Sequence, residues 1–378
     1  MKKVFLVIML MLLIPSLFGC NQFKNPNEDY CVLGNDGVYL CSKDYIGYFD
    51  TNFNLKFYLT QEDTYDILSL FDIVENTLSE YNQLLDKYHE YDGVTNVYSI
   101  NHRLTDTLII PEKLFQAINF VLIHEKDITV NDELLFNIAL GPVLNIWHDA
   151  RENSLCDTSG TSFYPVCPIP SAIIDDIDFP TNPNNIILNQ DDFSISFLEE
   201  GMEIDLGGYG KGYVSEIITD MLDSLEISYL LNAGNSNVKA GGNNPNNTDG
   251  LYYIALTKPV IEDSYLTSYF AFIKVPFNIS VVTSGSNQRF FIGSEDGKVY
   301  HHIIDPRTNY PGGDALSVTI LYNDGALADI YSTSIFLMTV DEGLAFVESF
   351  EGLEAVWYLS DGSIVSSSGF ENYLFKYL

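Results

Sequence analysis

Three short segments carry residue types that do chemistry. In Asp205-Leu206-Gly207-Gly208-Tyr209-Gly210-Lys211-Gly212, four glycines and a lysine run from a strand end into a helix. Glycines let a backbone approach a ligand closely, and a helix N-terminus favours anions. The spacing is neither a P-loop nor a dinucleotide fingerprint, and the same residues also make an ordinary glycine-rich turn. Tyr300-His301-His302-Ile303-Ile304-Asp305-Pro306-Arg307-Thr308 gathers histidine, aspartate and arginine on a strand and the turn after it. Alternation along that strand lets only one of the two histidines face a common site. In Ala326-Leu327-Ala328-Asp329-Ile330-Tyr331-Ser332-Thr333, Asp329 and Thr333 are one helical turn apart. A carboxylate and a hydroxyl on one face are hard oxygen ligands of the kind magnesium takes beside substrate phosphates. Two polar turns add less alone: Thr283-Ser284-Gly285 leading to Arg289, and Asn232 to Asn237 leading to Gly241-Gly242.

The elements that must position these residues are legible in the apolar periodicity. Alternation from Phe53 to Leu59 predicts a strand. The three- and four-residue steps from Ile67 to Tyr88 predict a long helix that Gly93 stops. A helix is expected over 111–124, and another over 134–147 that breaks at Gly141-Pro142. Residues 153–184 read as a loop-rich excursion. Short β-type runs follow at 186–188, 193–197, 229–231, 252–256, 270–275, 279–282, 299–304, 317–321 and 355–359, with helices at 212–225 and 326–350. This mixture predicts an α+β fold with largely antiparallel sheets and clustered helices.

The chain has 378 residues, with 18 Lys and Arg against 52 Asp and Glu, for a net charge of −34. Its 46% apolar content excludes disorder, and its charge disfavours nucleic acid as a partner. Lys2 and Lys3 precede an apolar run ending at Pro15, an export signal too short to span a membrane stably. The run closes with Leu17-Phe18-Gly19-Cys20, which resembles a lipobox whose cysteine is acylated. The expected organisation is a signal over 1–19, a tether over 20–43 and a folded domain over 44–378, anchored to the cell membrane and facing outside the cytoplasm. The other four cysteines, Cys31, Cys41, Cys156 and Cys167, invite disulfides in that compartment. Nearest-neighbour pairing closes two short loops, and two other connectivities stay open.

Taken in order, these motifs resemble the ApbE family of flavin transferases. Further markers are Phe49-Asp50-Thr51, Tyr91-Asp92-Gly93, Ile100-Asn101, and Gly141-Pro142 with Asn145 and Trp147. The resemblance runs from about Tyr48 to Phe350. It implies FAD bound between two lobes and a Mg²⁺-dependent transfer of its FMN half to a threonine hydroxyl, releasing AMP. The acceptor would be an exported or membrane redox protein. By the same resemblance, Asp329, Thr333 and the Gly208 carbonyl would hold the metal and His302 would sit at the reacting phosphate. Phe49, Asp50, Thr51, Asn145, Lys211, Thr283, Ser284, Gly285, Arg289 and Asp305 would line the flavin site. Asn235 and Asn287 depart from the family pattern at ligand-packing positions. Two alternatives remain: an exported FAD-binding lipoprotein without transferase activity, and a Mg²⁺-dependent FAD pyrophosphatase yielding FMN and AMP.

Overall fold

The computed structural model describes residues 30–34, 37–60, 63, 65–152, 156–157, 164–259 and 268–378, so Cys20 and the apolar leader lie outside the described residues. Among the described residues, nine strands form the main sheet. They are β1 (Cys31–Leu33), β2 (Tyr39–Tyr48), β3 (Thr51–Leu59), β4 (Ser228–Ala233), β5 (Asn237–Gly241), β6 (Ile279–Gly285), β7 (Ala315–Tyr322), β8 (Glu354–Leu359) and β9 (Ile364–Ser366). They lie side by side in chain order, with every neighbouring pair antiparallel. The α+β expectation holds, and the long excursions between neighbouring strands carry the helices and the second lobe.

The expected tether over 20–43 is too long. β1 and the first half of β2 precede Asp44 and belong to the sheet, clamped by the Cys31–Cys41 disulfide. The strand escaped a reading by alternation because half-buried polar residues such as Lys43, which bonds Glu75, break its apolar pattern. The second disulfide joins Cys156 to Cys167, so nearest-neighbour pairing is the connectivity found.

One face of the sheet carries α1 (Ile67–Leu85), α4 (Gly210–Ser224) and α5 (Gly325–Phe336), with α2 (Glu112–His124) packed into the same core. α1 starts on the side chain of Asp66 and ends sooner than expected. Asp86 Oδ1 accepts from the N–H groups of Tyr88 and His89, and this local alternative to helix stops it well before Gly93. The helix expected to break at Gly141-Pro142 instead begins there, as α3 (Gly141–Glu152). Proline fits a first turn, where no intrahelical N–H is needed. The helix expected over 326–350 is two: α5, then α6 (Val340–Glu348), which restarts at a capping box between Thr339 and Glu342. The strand expected over 299–304 is interrupted at His302 and Ile303.

On the opposite face, a small sheet of Tyr252–Thr257, Tyr269–Val275 and Leu374–Tyr377 packs Tyr252, Leu256 and Ile273 against Val281, Leu321 and Val356. A third apolar cluster, with Val143, Trp147, Cys167, Phe291 and Ile304, forms the second lobe around α3 and the Cys156–Cys167 loop.

Candidate active site

A cleft of about 470 Å³ opens between the lobes. Its wall on the main-sheet side begins at the β2–β3 hairpin. Phe49 and Asp50 hold φ of 52° and 54° there, left-handed values that fit a tight hairpin turn but are costly for side chains of this size. A hydrogen bond of 2.7 Å from Phe49 N to Asn82 Oδ1 on α1 holds the turn in place. Next comes the start of α4, where Gly212 meets α5. A Cβ on Gly212 would overlap the Gly325 carbonyl, so glycine here lets the two helices approach. The contact lets Asp329 Oδ2 accept from Gly212 N at 2.7 Å, so a carboxylate from α5 caps the first turn of α4. Thr333 lies one turn further along α5 and also lines the cleft.

Twelve of the residues expected at the site line this cleft: Phe49, Asp50, Thr51, Gly208, Lys211, Thr283, Ser284, Gly285, Arg289, His302, Asp329 and Thr333. Asn145 and Asp305 do not. Asn145 lies behind the wall, accepting from Lys87 Nζ at 2.8 Å and donating to Glu203. Asp305 is buried and holds the Arg307 guanidinium in a bidentate pair at 2.7–3.1 Å. Both brace their neighbours rather than face a ligand.

The two histidines part, although the break at His302 and Ile303, not an unbroken strand, sets their directions. His302 lines the cleft, and its Nδ1 donates to the Gln288 carbonyl at 3.0 Å, which leaves Nε2 as the basic nitrogen. Burial, then the charges of His301, Arg289 and Lys211, push its pKa down to about 3, so the ring is neutral at ordinary pH. His301 turns away, packs edge-on to Phe336 and accepts from Ile303 N.

Several cleft residues, Lys87, Tyr88, Phe136, His148 and Arg151 among them, lie outside the motifs above. Lys87, Arg151, Lys211 and Arg289 place four of the 18 cationic side chains here, in a chain of net charge −34. Lys87 is buried against Asp205 at 2.6 Å. Burial alone would lower the ammonium pKa, but the Asp205 carboxylate outweighs it and leaves it raised. Phe136, Tyr88, Tyr91 and Trp147 supply rings, and Tyr88 packs on His148 with centroids 4.6 Å apart. The i,i+3 spacing of His148 and Arg151 on α3 and the Lys87-Tyr88-His89 run after α1 were the signals available.

This arrangement can hold an anionic, ring-bearing ligand, with cations for phosphates and apolar faces for rings. Among the described residues no group of three His, Cys, Asp or Glu gathers. A divalent cation here would therefore draw on Asp329, Thr333 and a carbonyl such as that of Gly208, completed by ligand oxygens, which suits magnesium better than zinc. The Asn237 amide, buried and in full hydrogen-bond geometry with none of the described residues, lies close enough to the Asp329 carboxyl to favour its charged form, which fits a site with one further polar group to satisfy.

A family model described as the ApbE family matches residues 49–357. A relative from Klebsiella pneumoniae, named FAD:protein FMN transferase, is 29% identical over 309 residues, covering 80% of this chain and 88% of that protein. The crystal structure of the ApbE protein from Thermotoga maritima superposes with a TM-score of 0.73 at 20% identity, covering 89% of this chain and all of that one. The flavin transferase ApbE from Vibrio cholerae gives a TM-score of 0.67 at 21% identity, with 89% and 100% covered. These structures share the fold, and with the family match spanning most of its length the chain belongs to the ApbE family.

Proposed function

We propose that this protein transfers the FMN half of FAD to a threonine hydroxyl of an acceptor protein and releases AMP, with Mg²⁺ as cofactor. The observation that carries the reading is the neutral His302, its Nε2 uncommitted, in the same cleft as Lys211, Arg289, Asp329 and Thr333. In the reaction the threonine oxygen attacks the FMN-side phosphorus, its proton passes to His302 Nε2, and the bond to the bridging oxygen breaks, so that oxygen leaves with AMP. Such transfers depend on positioning and electrostatics. Lys211 at the start of α4 and Arg289 offset the pyrophosphate charge. Mg²⁺, bound through Asp329 and Thr333 with the Gly208 carbonyl, would supply further charge neutralisation on the phosphoryl oxygens. Phe49, Phe136, Tyr88 and Trp147 cover the rings of the dinucleotide.

The same reading makes the mature protein a lipoprotein held to the outer face of the cell membrane through Cys20, where it would meet exported or membrane redox proteins as acceptors. Incubating the mature domain with FAD and Mg²⁺, with and without a threonine-bearing acceptor peptide, tests it. The expected result is AMP release matched by covalent FMN on the peptide. AMP with free FMN alone would make the protein a pyrophosphatase, and no AMP at all would leave it a flavin-binding protein.

A further inference from the structure

This inference rests on the cation-dependent reading above and concerns the turn from Asn232 to Asn237, most of which that reading leaves unused. Asn237 opens β5 with 1% of its surface exposed, and among the described residues neither Oδ1 nor Nδ2 has a partner in hydrogen-bond geometry. An unpaired buried amide is costly to a fold unless something satisfies it. Strand alternation puts Asn237 on the same face of β5 as Lys239, the face turned toward α4 and α5. There Lys239 Nζ pairs with Glu216 Oε1 on α4 at 2.5 Å, and Glu216 Oε2 accepts from Gly325 N, the first residue of α5, at 2.7 Å. This clamp fixes the start of α5 and so the height at which Asp329 emerges. Asp329 Oδ2 is committed to Gly212 N, and the Asn237 amide lies close enough to the same carboxyl to favour its charged form while staying outside full hydrogen-bond geometry.

We propose that Asn237 is a positioning residue of the cation site: its amide closes a hydrogen bond to Asp329 when that carboxylate is drawn onto a divalent cation, fixing the ligand's orientation. The carboxylate is then held from two sides, by the Gly212 N–H and by Asn237. Partners of this kind set metal affinity as well as geometry.

Titrating the mature chain with Mn²⁺ in the absence of FAD, with bound ion followed by electron paramagnetic resonance, reads the site without turnover. Asn237→Ala is expected to weaken Mn²⁺ binding about 10–100-fold per folded molecule. Asn237→Ser, which keeps a short donor and serves where the alanine variant does not fold, should give a smaller loss. Unchanged Mn²⁺ affinity in the folded variants, with only a lowered melting temperature, would overturn the proposal. A wild-type chain that binds no Mn²⁺ would overturn it together with the cation reading. Tight wild-type binding left intact by both substitutions would sink this proposal alone.

Discussion

His302 and Asp329 show how a side chain's neighbours decide its chemistry. The carbonyl of Gln288 takes the Nδ1 proton of His302 and leaves Nε2 free, while burial and nearby cations keep the ring neutral down to about pH 3. A resting imidazolium would need protonation that the site resists, so His302 starts neutral, and its Nδ1 bond to Gln288 leaves the Nε2 lone pair as the one that can receive a proton. His302→Gln should lower kcat on the order of 10²-fold, and the wild-type rate should show no histidine limb between pH 5 and 8. A rate that falls as pH rises through that window would instead mark an imidazolium. Asp329 calls for a gentler substitution than alanine, because its Oδ2 also caps α4 through Gly212 N. Asp329→Ala would cost about 1–3 kcal/mol of stability for that orphaned N–H. Asp329→Asn keeps an acceptor there and should lose Mg²⁺-dependent turnover at a melting temperature within a few degrees of wild type. Turnover retained in the asparagine variant would show the carboxylate to be structural. Both residues were legible in sequence because each sits in a short segment dense with functional types; Lys87, His148 and Arg151 were not, since each stands among other polar residues just past or within the last turns of an amphipathic helix, where exposed charge is the rule.

Helix and strand ends, more than their middles, shape this cleft. The periodicity located α1, α2 and α4 to within a few residues, yet Asp86 ends α1 early, Pro142 starts α3, and the Thr339–Glu342 box divides the last helical stretch. Each is a local side-chain-to-backbone bond or a proline preference that overrides apolar spacing. The segment after α2 holds a further such device. Glu125 is fully buried, its Oε2 accepts from Ile138 N, and its Oε1 has no partner. That bond ties down the stretch that brings Leu135, Phe136 and Asn137 to the cleft. Burial pushes the carboxyl up to about 8, against the pull of the Ile138 N–H and Lys126, whereas in the unfolded chain it ionises near pH ~4.3. With the folded pKa raised, its contribution to stability is complete below about pH 4 and is lost as pH rises toward 8. Glu125→Gln should therefore be the more stable form at pH 8 by on the order of a few kcal/mol, with the difference in melting temperature shrinking toward pH 4. Parallel stability curves for the two proteins would refute this.

Across the whole molecule, a nine-stranded meander in chain order carries its catalytic parts on the connections between strands, and the two lobes meet where those connections converge. β3, β4, β6, β7 and β8 could be read from their β-type patterning, but β1, β2, β5 and β9 could not, and neither could the strand order, because antiparallel partners across 168 intervening residues, as between β3 and β4, leave no local trace. Charge is unevenly spread as well: in a chain of net charge −34, the cleft balances Lys87, Arg151, Lys211 and Arg289 against Asp50, Asp86, Asp205 and Asp329, so an anionic ligand meets less repulsion there than from the chain as a whole. Mass spectrometry of the exported protein should find Cys20 as an acylated N-terminus, and an unmodified N-terminus elsewhere would remove the membrane anchor from the account. The central claim is tested most directly by supplying FAD, Mg²⁺ and a threonine-bearing acceptor and weighing the acceptor afterwards. The account predicts a mass gain of one FMN residue on that threonine with an equal amount of AMP released, abolished in the acceptor with threonine replaced by valine. An acceptor unchanged in mass while FAD remains intact would contradict it.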